Sequence, residues 1–175
     1  MLSVLRRAVA VAAVAAFSAG AVEAQMGGLK VEEIRVDVAG LEMVSDAYTQ
    51  FGVGIPGSVA LGIYLNDKLA LEPTLSLVSF TPEGFDAQTI ISIGVFAPFY
   101  FAGDRGRNGL FVAPGVAITK ITDVDALIDF GADVGYKKAM NDKVSWSAAA
   151  MLRAGDSTDP EMLLGGRFGL SVFWR

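Results

Sequence analysis

The chain has 175 residues, a formal charge of −5, a hydrophobic fraction of 53% and only 19% charged residues, with no cysteine and no histidine. A single domain is the expectation. Disulfides and thiolate chemistry are excluded, as are the commonest general base and the commonest zinc or copper ligand. The scarcity of Lys and Arg argues against a nucleic-acid partner, which would need a basic face.

The N-terminus has the pattern of a secretory signal peptide: Arg6 and Arg7, an apolar run from Ala8 to Phe17, and small residues leading to Val22-Glu23-Ala24. Cleavage after Ala24 is expected, which makes residues 1–24 the signal and 25–175 the mature domain. The apolar run is shorter than the ~20 residues a spanning helix requires. No later segment supplies such a run, so a mature chain that enters a membrane must do so as strands.

Residues 25–32 read as a polar leader. Ile34, Val36 and Val38 then alternate with Arg35 and Asp37, a first strand, followed by a long connection from Gly40 to Gln50. A second strand keeps one parity from Phe51 to Leu65, with Gly, Pro, Ser, Ala and Tyr64 on its other face. Asn66-Asp67 is a tight turn by residue type. Leu69, Leu71, Pro73, Leu75 and Leu77 form one face of a third strand, with Glu72 opposite; a fourth runs from Thr89 to Phe101.

The cluster from Gly103 to Gly109 is a turn. A fifth strand runs from Leu110 to Thr119, and a sixth sets Ile128, Phe130, Ala132, Val134 and Tyr136 against Leu127, Asp129, Gly131, Asp133 and Gly135. A turn from Lys137 to Asp142 leads to Val144, Trp146, Ala148, Ala150 and Leu152, opposed by a face ending in Arg153. The last strand sets Met162, Leu164, Gly166, Phe168, Leu170, Val172 and Trp174 against Leu163, Gly165, Arg167, Gly169, Ser171 and Phe173.

These elements predict an all-β, eight-stranded antiparallel up-and-down transmembrane β-barrel. Connections after the even strands are tight and carry Lys68, Arg105, Arg107, Lys137, Lys138 and Lys143. Those after the odd strands are longer and acidic, with Glu42, Asp46, Glu83, Asp86, Asp123, Asp125, Asp156, Asp159 and Glu161. Short turns at one end and longer loops at the other suit a membrane meander. The alternative is a soluble barrel with its apolar face inward. Its water-exposed face would then be mostly Gly, Ala and Ser, a poor solvating surface, whereas the same face suits the narrow interior of an eight-stranded barrel.

Phe99, Phe101, Tyr136, Trp146 and Trp174 fall on the apolar face near the tight turns, as an interfacial aromatic belt would. Four prolines, Pro56, Pro73, Pro98 and Pro114, lie within the strands. A closed barrel has no edge where a missing N–H is harmless, so bulges or strand ends are expected to absorb them. The mixed faces carry Arg35, Asp37, Glu72, Asp129, Asp133, Arg153 and Arg167, expected to pair in the lumen because isolated buried charges are too costly. A structural ion-pair network is the plainer reading of these charges and a gated pathway the functional one. Asp129 and Asp133 lie four apart on one strand, ~13 Å, too far to share a proton or an ion.

In this pattern the chain resembles the small outer-membrane β-barrels of bacteria, the group that includes the OmpA-like, OmpX-like, OmpW-like and opacity-type barrels. Arg167-x-Gly169-x-x-Val172-x-Trp174 is similar to the sorting signal that the barrel-assembly machinery reads on a last strand, although here Arg175 follows the aromatic. The resemblance implies a monomer in the outer membrane, with a periplasmic N-terminus and extracellular acidic loops, in contact with lipid and lipopolysaccharide. Enzymatic barrels of comparable size rely on a histidine, which is missing here, so no enzyme, metal or cofactor is expected. The expected role is structural or at the cell surface, with at most minor passage of small solutes. The competing roles are a barrel conducting small hydrophobic molecules and a soluble periplasmic lipocalin-like carrier.

Overall fold

The computed structural model describes residues 30–44, 48–53, 57–80, 88–102, 104–121, 125–155 and 162–174. The expected signal peptide lies outside them, as do Pro56 and the loop acids Asp46, Glu83, Asp86, Asp123, Asp156, Asp159 and Glu161. The described residues form one antiparallel sheet of eight strands. These are β1 (Val31–Val44), β2 in two runs (Tyr48–Val53 and Gly57–Tyr64), β3 (Ala70–Phe80), and β4 (Gln88–Phe96, continued by Phe99–Tyr100). They continue as β5 (Gly109–Ile121), β6 (Leu127–Ala139), β7 (Val144–Gly155) and β8 (Met162–Phe173). Each pairs with the next in sequence, and β8 pairs with β1, for example Ile34 with Val172 and Val36 with Leu170. That last ladder closes the barrel and leaves the sheet without an edge.

Alternation sorts the side chains to opposite sides of this wall. On the outer face Leu77 is 59% exposed and Ile93 61%, while on the inner face Glu72 and Asp133 are 2% and 3% exposed. Apolar residues outward and charges inward is the inverse of a soluble barrel and the arrangement of a transmembrane one. A lipocalin-like carrier requires an apolar interior, and these buried charges occupy that space.

The first connection differs from the sequence expectation. β1 continues through Gly40 to Val44 and pairs with Tyr48–Val53, where the sequence pattern predicts a long loop from Gly40 to Gln50. The cause is a bulge: the β1–β8 register shifts between Asp37 and Ala39, so the inward parity changes from odd to even residues. Alternation read from the sequence therefore stops at Val38 although the strand does not. Lys137 and Lys138 are likewise strand residues, paired with Ser147 and Trp146. The turn begins after them, with Met140 N–H donating to the Val144 carbonyl at 2.8 Å.

Pro73 and Pro114 need neither a bulge nor a strand end; each meets a gap in one ladder. The β2–β3 ladder passes from Ala60–Thr74 to Ile63–Leu71 and skips the pairs between, which include Pro73, while Pro73 stays paired with Val95 on its other side. Pro114 faces the interruption of β4 at Ala97-Pro98, where the Ala97 N–H donates to the Pro114 carbonyl at 2.8 Å. Pro98 occupies the same interruption but faces the other neighbour, its carbonyl accepting from the Ala70 N–H of β3 at 3.1 Å, so its missing N–H falls on the β3 side.

The tight turns are set by side chains. Asn66 Oδ1 accepts the Lys68 and Leu69 N–H groups, and Asn141 Oδ1 accepts those of Lys143 and Val144. In the third turn Asp104 Oδ1 accepts from the Arg107 and Asn108 N–H groups. Gly106 there has φ 66°, and a Cβ would lie 2.5 Å from both the Tyr100 ring and the Tyr64 hydroxyl. Glycine thus lets this turn fold onto the lumen mouth.

Candidate functional site

The strongest chemistry lies in the lumen, where six charges from five strands form one alternating chain. Glu72 on β3 pairs with Arg35 on β1, and Arg35 Nε lies 3.2 Å from Asp37 on the same strand. Asp37 accepts from Arg167 of β8 at 3.0 Å, and Arg167 donates to Asp133 of β6, also at 3.0 Å. Asp133 also pairs with Arg153 of β7, whose guanidinium lies 4.7 Å from the centroid of the Phe96 ring. Ser58 donates a further hydrogen bond to Asp37, and the Tyr100 hydroxyl donates to Glu72 at 2.9 Å. Each carboxylate in this chain has at least one guanidinium, so the cost of burying it is met by charge-assisted hydrogen bonds.

Of the seven lumen charges singled out in the sequence, these are all but Asp129. Asp129 lies apart, toward the loop end, where it accepts from the Thr119 hydroxyl at 2.7 Å; that oxygen lies 3.1 Å from Ser92 Oγ. Among the described residues no group of three or more acids gathers as a metal site would require.

A second pair escapes the sequence reading. Lys137 and Glu33 form an ion pair, each side chain 1% exposed, and Tyr64 also donates to Glu33. The ammonium lies 5.5 Å from the Tyr100 ring centroid and 5.2 Å from that of Phe173. Parity is the signal that could have found both residues. Glu33 extends the series Arg35, Asp37, and Lys137 extends Asp129 through Gly135, but the first adjoins the polar leader and the second opens the expected turn. Tyr64, Tyr100 and Phe111, with Phe96, Ala70, Ala113 and Ala149, pack the lumen between this pair and the longer chain.

Outside the lumen, Arg105 joins the turn end together. It donates to Asp67 at 2.9 Å and to Glu32 at 2.8 and 3.0 Å. Its hydrogen bonds to these carboxylates, Asp67 first, raise the Arg105 pKa further above its ordinary value.

The residues of the terminal motif have defined places in the closed barrel. Arg167 belongs to the charge chain, and Gly169 lies opposite Asp37, where a Cβ would meet Asp37 Oδ1 at 2.5 Å. Glycine there leaves room for Arg35 and Asp37. Val172 is on the outer face, and Trp174 packs against Ile34, which Val36, Val59 and Leu61 also cover, its backbone N–H donating to the Glu32 carbonyl at 3.1 Å. The aromatics near the turns form two outer groups. Phe99 meets Phe101 edge-to-face at 5.4 Å, and Trp146 lies 6.0 Å from Tyr136 and 5.9 Å from Phe168.

Comparison with solved structures returns the same fold. Neisserial surface protein A superposes with a TM-score of 0.60 at 15% identity, covering 81% of this chain and 96% of that one. The outer membrane protein OprG from Pseudomonas aeruginosa gives 0.54 at 10% identity, covering 84% and 97%. Ail, the attachment invasion locus protein of Yersinia pestis, gives 0.50 at 8% identity, covering 82% and 97%. No family model matches the sequence, and no curated protein does. The fold is that of the small outer-membrane barrels.

Proposed function

We propose that this chain is an integral outer-membrane barrel with a structural or surface role in the envelope and a lumen closed to solutes. The observation that carries the reading is the chain Glu72–Arg35–Asp37–Arg167–Asp133–Arg153, which runs across the interior from β3 to β7. A conducting pore needs a continuous polar space, and here the polar groups bind one another. Proteins of the same fold include Neisserial surface protein A and Ail, the attachment invasion locus protein of Yersinia pestis, and these names support a surface role.

Planar-bilayer recording tests the closed lumen. The refolded wild type is expected to add no open-channel steps to the bare bilayer; long-lived ohmic steps from the wild type would overturn the reading. Arg167→Ala, which breaks the chain at its middle, is expected to show brief openings.

The terminal strand serves in this reading as the assembly signal as well as the seam. Trp174→Ala is expected to reduce the heat-modifiable barrel recovered from the outer membrane severalfold while shifting the urea midpoint of the folded protein little. Normal outer-membrane levels of the variant would count against a signalling role.

A further inference from the structure

The outer wall is not uniformly filled. Over most of it the outward residues are Leu, Ile, Val or Phe, but where β7, β8 and β1 meet, Ala150 stands opposite Gly166 and Ala148 opposite Phe168, with Ala39 beyond. These residues and Leu164 line an apolar trough of about 580 Å³ on the outer face. In a bilayer such a depression is filled by an acyl chain, since an empty gap forfeits dispersion contacts along its length.

The turn-end side of the trough has an aromatic and cationic border. Trp146 stacks on Phe168 at 5.9 Å and meets Tyr136 at 6.0 Å. Lys138 is the cross-strand partner of Trp146, exposed on the same outer face as Tyr136, and Lys143 is exposed in the adjoining turn. Among the described residues neither lysine forms an ion pair, and the nearby Asp142 is engaged by Arg107 at 3.6 Å. From Trp146 to Ala150 is four strand residues, ~13 Å, so a headgroup beside the lysines places its chain along the trough.

We propose that this face is a binding site for a diacyl phospholipid with an anionic headgroup, its phosphate at Lys138 and Lys143 and one acyl chain in the trough past Trp146. The site rests on the membrane reading above and adds a ligand to it. With the turns on the periplasmic side, the leaflet concerned is the phospholipid one. Two lysines near the surface favour the charged lipid electrostatically, and the trough adds a place for its chain that a flat wall lacks.

The test uses the single-tryptophan variant Trp174→Phe of the full barrel, so that Trp146 alone reports. It is folded into phosphatidylcholine vesicles containing a minor fraction of brominated-chain phosphatidylglycerol or, in parallel, brominated-chain phosphatidylcholine. Trp146 is expected to be quenched more by the phosphatidylglycerol, corresponding to enrichment on the order of fivefold. Lys138→Ser with Lys143→Ser should equalise the two lipids, and Gly166→Leu should reduce quenching by both. A side chain at Gly166 has space, the nearest atom to its Cβ being the Ala149 carbonyl oxygen at 3.7 Å, and Ala148→Leu is a second variant with the same purpose.

Equal quenching by the two lipids in the parent protein would overturn the proposal, as would a phosphatidylglycerol preference that survives loss of both lysines. Weak quenching by either lipid together with a dimer in native mass spectrometry would assign the trough to a second copy instead. Failure of the parent to acquire heat-modifiable migration in any vesicle would overturn the membrane reading itself, and the lipid site with it.

Discussion

Lys137→Met is expected to lower the unfolding free energy of the barrel by about 3–5 kcal/mol, and adding Glu33→Gln is expected to restore most of that loss. Both side chains are 1% exposed, and Lys137 is the cation paired with Glu33. Removing the lysine leaves a carboxylate in a low-dielectric interior whose remaining hydrogen-bond donor among the described residues is the Tyr64 hydroxyl. The introduced glutamine would keep an acceptor for Tyr64 without the charge, and the introduced methionine would keep contact with the Tyr100 and Phe173 rings that the lysine now faces. Urea titration of the four proteins of this cycle in one bilayer composition gives the coupling directly. Equal, additive losses for the two single variants would mean that the pair contributes only packing.

Gly131→Val is expected to cost more than about 4 kcal/mol, enough to remove most of the heat-modifiable folded form on refolding. A Cβ at Gly131 would lie 2.1 Å from the Leu152 carbonyl oxygen and 2.7 Å from Arg153 Cδ. The first contact is with backbone in the β6–β7 ladder, where Gly131 stands opposite Arg153, and it cannot move without breaking ladder hydrogen bonds. The second would push Arg153 away from Asp133 and open the charge chain at its end. Gly166→Ala is the matched control: it meets nothing closer than 3.7 Å, and an effect within about ±0.5 kcal/mol is expected. Comparable losses at the two glycines would show that strand entropy rather than the clash decides.

The lumen chain was legible only in part, for a local reason. Arg35, Asp37, Glu72, Asp133, Arg153 and Arg167 stand out because charges are rare among the small residues of the inner faces. Their partners were not legible, because pairing depends on the relative stagger of separate strands: Arg167 meets Asp37 across the seam and reaches past β7 to Asp133 of β6. Asp129 carries the same signal in the sequence and joins nothing in that chain, since its stagger places it beside Thr119.

The same distinction separates the elements. Alternation every second residue determined the strands and their apolar face, because one side of each must meet a solvent different from the other. Asn66 and Asn141 determined tight turns by bonding their own backbone. The tertiary structure alone decided the extent of β1, because one bulged residue at Val38 inverts the pattern without ending the strand. It alone decided that Pro73 and Pro114 are tolerated, because only the ladders show which N–H would have gone unused. It also decided the role of Lys137, a turn residue by its place in the sequence and in the barrel the buried partner of Glu33. A two-residue period is a local property of the chain, whereas register and closure are set by strands that the sequence keeps far apart.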